Sequence, residues 1–169
     1  MDIKEQILTK YHHSPKLQQA LLDVSSGRSH VFFDNCQGSL PGILSSAIHR
    51  FQLRDSLQLF ILSSKDEAAY MYDTLVTFCG EASILFFPDS FKAPGNFQRF
   101  DQNNVLSRTE IVSLLEKPLK QKIIVSYTEA VFEKISKAAT INSHRINITT
   151  GEMLDQDFVI EMLHEYGFQ

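Results

Sequence analysis

Residues 30–51 read HVFFDNCQGSLPGILSSAIHRF: a short β-rich run, a glycine-serine turn and a segment of helical period follow one another directly. Val31, Phe32 and Phe33 suit a pleated, packed surface, so His30–Asp34 is expected as a strand. Ile43, Leu44, Ala47, Ile48 and Phe51 recur at the spacing that lines one face of a helix. Strand, turn and helix in this order are the setting of a phosphate loop, G-x-x-x-x-G-K-[ST]. In that loop the glycines let backbone N–H groups face phosphate, the lysine adds a cation, and the hydroxyl holds Mg²⁺ at a helix N-terminus.

Laid on this turn, the motif puts Asn35 at the first glycine, Gly38 inside the loop, Leu40 at the second glycine, Pro41 at the lysine and Gly42 at the hydroxyl. Pro41 offers neither an N–H nor a charge, and Leu40 brings a side chain where the backbone must approach phosphate closely. The turn is therefore expected to be a vestigial phosphate loop with no bound nucleotide. Gly38 then serves the turn itself and Pro41 the first turn of the helix.

The unit recurs downstream. Leu57–Leu62 reads as a buried strand, Lys65–Phe78 as a helix with Ala68, Met71, Tyr72 and Leu75 inward, and Ser83–Phe87 as another strand. Ser107–Leu115 and Thr128–Ser136 read as helices around a strand at Lys122–Ser126, and His144–Thr149 as an alternating edge strand. Upstream, a short amphipathic helix precedes one opened by Ser14 and Pro15 and closed at Gly27. A last amphipathic helix spans Leu154–Tyr166, before Gly167. Alternating β and α units imply an α/β fold of three layers, a mostly parallel sheet of about five strands with helices on both faces. The expected divisions are N-terminal helices over 1–29, the phosphate-loop-like domain over 30–153, and a C-terminal helix over 154–169.

Composition agrees with one packed core: 169 residues, 43% hydrophobic, thirteen Phe and no Trp. A net charge of −4 disfavours a free-standing nucleic-acid binder, which gathers Lys and Arg on one face. Cys36 and Cys79 are too few for a disulfide framework and suit a reducing, cytoplasmic compartment. The N-terminal MDIKEQILTKYHH lacks the apolar stretch of a secretory signal, and no uncharged apolar run is long enough to cross a bilayer.

Candidate sites are sparse. His12 and His13 point about 100° apart on a helix and have no acid or cysteine cluster beside them, so no metal site is expected. Asp34 and Asp89 stand at the C-terminal ends of expected strands, where α/β folds place ligands, yet without a phosphate-binding lysine they read as caps or turn residues. Glu152, Asp155 and Asp157 read as the acidic first turn of a helix. No Ser, His and Asp triad and no activated cysteine emerges, so no catalytic residue is expected. The long Pro88–Asn104 loop and its flank mix Lys92, Arg99 and Arg108 with Phe91, Phe97 and Phe100, the pattern of a surface that stacks and neutralises single-stranded nucleic acid.

Several segments together resemble a known family. ILSSAI after the turn, LFILSSKDEAAYMYDTL, Phe87-Pro88, Ser107-Arg108, IIVSYTEAVFEKI with Val125, Glu129 and Ala130, and ITTGEMLDQDFVIEMLHEYGF occur in the order found in the N-terminal UvrB-like region, domain 1a, of bacterial transcription-repair coupling factors (Mfd). DSFKAPGNF departs from the family by keeping Pro94 without the usual Trp. The resemblance implies a RecA-like phosphate-loop fold with a degenerate loop, where UvrB itself has an intact one. UvrB-type proteins carry a long DNA-gripping hairpin after the third strand, and Pro88–Asn104 has room only for a short excursion.

The resemblance further implies a non-catalytic scaffold fragment of a longer DNA-repair protein. That protein is an ATP-dependent, helicase-like DNA translocase that removes stalled RNA polymerase and recruits UvrA for nucleotide excision repair. ATP and Mg²⁺, DNA, UvrA and RNA polymerase would all be engaged outside this chain, whose own partners would be intramolecular domains. The alternatives are a true nucleotide-binding domain with an unusual loop, and a DNA-binding module using the Lys92 to Arg108 loop.

Overall fold

The computed structural model describes residues 2–27, 30–51, 57–91, 100–115, 121–135, 149–151, 153 and 155–165. Its elements are α1 (Ile3–His12), α2 (Pro15–Ser25), α3 (Leu40–Phe51), β1 (Leu57–Leu62), α4 (Lys65–Cys79), β2 (Ile84–Phe86), α5 (Gln102–Leu115), β3 (Lys122–Tyr127), α6 (Thr128–Phe132) and α7 (Gln156–Glu165). The fold is α/β: the strands form a parallel sheet in the order β1-β3-β2 with helices packed on it.

Register decides which side chains meet. Leu57 pairs with Lys122 and Leu62 with Tyr127, while Ile84 pairs with Ile123 and Phe86 with Val125. Because strand side chains alternate, Phe60, Leu62, Ile84, Phe86, Ile123, Val125 and Tyr127 share one face. That face packs on Ala68, Met71 and Leu75 of α4 as the main core. α4 is started by local chemistry: the Ser64 hydroxyl accepts the Glu67 N–H at 3.3 Å, and the Glu67 carboxylate accepts the Ser63 hydroxyl at 2.5 Å. It ends at Gly80, whose φ of 82° lies where a side chain is disfavoured.

A second core holds the N-terminal helices. Leu8 of α1, Leu17 of α2 and Ala47 of α3 are buried together, with Ile43, Leu44, Ile48 and Phe51 packed around them. Lys4 Nζ donates to the Thr77 carbonyl in the last turn of α4 at 3.0 Å, where a cation meets the negative end of a helix. Residues 2–27 therefore share a core with α3.

The central strand β3 is buried on both faces, including Ile124 and Ser126, but β1 is not. Leu57, Leu59 and Ile61 are all about half exposed on the face of β1 turned away from α4. β1 has no charge or proline along LQLFIL and its outer edge pairs with no described strand, the features of an adhesive edge. Leu59→Lys is expected to lower concentration-dependent light scattering while moving Tm by no more than about 2 °C. Unchanged scattering would show that this edge is not the adhesive element.

Several expectations need correction. The described residues contain three of the roughly five strands expected, all parallel. His30–Phe33 carries no regular structure, Asp34 and Asn35 turn, and Phe32 is 86% exposed. A β-prone sequence becomes a strand only when a neighbouring strand takes its hydrogen bonds, and none of the described strands does so here. The expected edge strand at 144–149 lies outside the described residues apart from Thr149, which is not in a strand. α5 begins five residues before the expected Ser107, because Asp101 Oδ1 accepts the N–H groups of Asn103 at 3.0 Å and Asn104 at 3.3 Å. Asp155 starts α7 in the same way, and α6 stops at Phe132, short of the expected Ser136.

Candidate functional site

The turn before α3 holds the positions of the expected vestigial phosphate loop, Asn35 to Gly42. Asn35 and Gly38 both adopt left-handed backbone, with φ of 58° and 59°. The Leu40 N–H is already bonded to the Gln37 carbonyl at 3.2 Å and the Ile43 N–H to the Ser39 carbonyl at 3.0 Å. Pro41 has no N–H, so these groups do not form the ring of inward donors that a phosphate requires. The Ser39 hydroxyl is engaged with the Tyr70 hydroxyl at 2.6 Å. Asp34 is exposed in the turn, as read from the sequence.

Gly42 shows why a hydroxyl is absent from this position. It is buried where α3 crosses α4, and a Cβ built there would stand 2.7 Å from Thr74 Cγ2 and 3.2 Å from Met71 Sδ. A serine or threonine here would have to displace Thr74, so the position serves helix packing.

A denser polar cluster stands at the C-terminal end of the sheet, the edge at which parallel α/β folds assemble their sites. Its centre is Arg108 of α5, only 4% exposed. Arg108 Nη1 donates to the Pro88 carbonyl at 2.6 Å and the Ala130 carbonyl at 3.0 Å, and Nη2 reaches the Glu133 carbonyl at 3.5 Å. The Glu133 carboxylate lies 3.6 Å away, and the guanidinium sits 4.4 Å from the centre of the Phe87 ring. Glu133 also accepts the Ser90 N–H at 2.8 Å, and the Tyr127 hydroxyl oxygen accepts the Asp89 N–H at 2.9 Å. The Ser126 hydroxyl donates to the Phe87 carbonyl at 2.9 Å.

Burial lowers the Arg108 pKa, with Glu133, Asp89 and Tyr127 opposing the shift. Burial also holds the Tyr127 phenol well above its usual range, so at neutral pH it is protonated. Asp89 is buried, and its Oδ1 has no hydrogen-bond partner. The arrangement ties the segment leaving β2 to the end of α6. It presents no free cation and no activated nucleophile.

Arg108 thus corrects the expectation of a surface recognition residue, since its donors face backbone carbonyls inside the protein. Lys92 and Arg99 lie outside the described residues. Phe91 and Phe100 form an antiparallel bridge with stacked rings 5.3 Å apart, and the Asp101 N–H donates to the Ser90 carbonyl at 2.8 Å, so the two ends of this loop are held together. The signal for a buried Arg108 was present in the sequence, because Arg108, Ile111 and Val112 share one helical face.

At the opposite, N-terminal edge, Glu5, His49, Arg50, Phe78, Cys79 and Gln121 help line a cavity of about 400 Å³. Burial raises the Cys79 thiol pKa, a hydrogen bond with Ser46 working the other way, which leaves a thiol and not a thiolate at neutral pH. His12 packs on Phe51 with ring centres 4.4 Å apart and planes tilted by 31°, and no group of three or more metal-ligating side chains occurs among the described residues.

Both His12 and His49 have a lowered pKa, chiefly from burial, with His13 and Lys122 adding to it respectively, and each keeps a buried Nδ1 without a partner. A histidine that is less basic when folded gives the unfolded chain more protons just below the ordinary value of about 6.5, so stability declines as pH falls through that window. Tm is expected to be lower at about pH 5.5 than at about pH 7.5, and the gap should shrink in a His12→Phe, His49→Gln double variant. A double variant retaining the full gap would assign the effect to other groups.

Comparison with protein-family models, curated proteins and solved structures yields no match.

Proposed function

We propose that this chain is a non-catalytic scaffold and interaction domain of the kind the sequence resembles, the UvrB-like region of a transcription-repair coupling factor. The observation that carries the reading is the turn at Asn35–Gly42. It has Pro41 where the motif needs a lysine and Gly42 where it needs a hydroxyl, and a Cβ at Gly42 would press on Thr74. In this proposal nucleotide hydrolysis, DNA translocation, polymerase contact and UvrA recruitment belong to other parts of a longer cytoplasmic protein. No described helix is long and apolar enough to cross a membrane.

The finer architecture proposed is a degenerate phosphate-loop domain whose sheet continues past β1. Two observations support it. The outer edge of β1 is free of described strands, and α3 packs beside α4. Ser45 of α3 donates to Gln58 Oε1 at 2.7 Å, and Gln58 pairs with Ile123 on the α4 side. Because strand-helix-strand crossovers are right-handed, the segment before α3 belongs on the open side of β1.

A thermal-shift experiment tests the nucleotide part. Mg-ATP at one hundred times a dissociation constant stabilises a binding protein by about 2.7 kcal/mol. Five millimolar Mg-ATP is expected to leave Tm unchanged. A rise of several degrees would favour a working nucleotide site.

A further inference from the structure

We draw no further inference here: the strongest candidate, the open edge and exposed outer face of β1 formed by Leu57, Leu59 and Ile61, is an unpartnered apolar surface, and nothing in the structure shows what covers it.

Discussion

Arg108→Met is expected to lower Tm by on the order of 10 °C, more than any other single change considered. Removing one partner of a buried ion pair costs about 3–5 kcal/mol, and a domain of this size loses about 2–4 °C per kcal/mol. Methionine would fill much of the volume but leave the Pro88 and Ala130 carbonyls without their donor and the Glu133 carboxylate, still bonded to the Ser90 N–H, without its cation. Arg108→Lys should recover little, since an ammonium lacks the planar fork that reaches separate carbonyls together and stacks on Phe87. Chemical denaturation of both variants checks this. A loss below about 1 kcal/mol in Arg108→Met would mean that water replaces the guanidinium without penalty.

Gly42→Ala should be the next most damaging, against the usual trend. In an ordinary helix interior, replacing glycine by alanine stabilises by about 1 kcal/mol. Here the added carbon would meet Thr74 Cγ2 at 2.7 Å, and overpacking a tight contact costs about 1–3 kcal/mol. Thr74→Ala removes the colliding methyl and loses only an exposed hydrogen bond from Oγ1 to the Tyr70 carbonyl at 2.9 Å. The double variant Gly42→Ala, Thr74→Ala should therefore be more stable than Gly42→Ala alone, a non-additivity that a double-mutant cycle measures. Simple additivity would place the strain elsewhere than in the α3–α4 contact.

These two residues also show what could be read from the chain before its structure. The units β1, α4, β2 and β3 were legible from apolar runs of strand length and from the helical spacing of Ala68, Met71, Tyr72 and Leu75; the Ser64 and Glu67 pair and Gly80 were further local signals that went unread. Arg108 was read by its charge and so assigned to the surface, although its spacing with Ile111 and Val112 pointed inward. Gly42 was read as a missing hydroxyl; its packing role depends on α4, whose Thr74 is distant in sequence. Strand pairing is non-local in the same way. Nothing within HVFFD states whether a neighbour exists to pair with it, and the described strands supply none. The early start of α5 was a local signal overlooked, the carboxylate of Asp101.

The resemblance to the coupling-factor region and the geometry of the turn bear on each other at one point. A scaffold descended from a nucleotide-binding fold can lose its lysine and hydroxyl while keeping the helix that followed them. Under the proposed reading α3 would be that helix, with Pro41 in its first turn and Gly42 pressed on α4. Arg108, Tyr127 and Glu133 hold the departure of β2 against α6.

Calorimetric titration of the intact chain with Mg-ATP at 25 °C is the most direct test. No saturable heat up to millimolar nucleotide is the result expected of a turn with Pro41 at the lysine position and Gly42 at the Mg²⁺-holding position; a stoichiometric isotherm with a micromolar dissociation constant would contradict it.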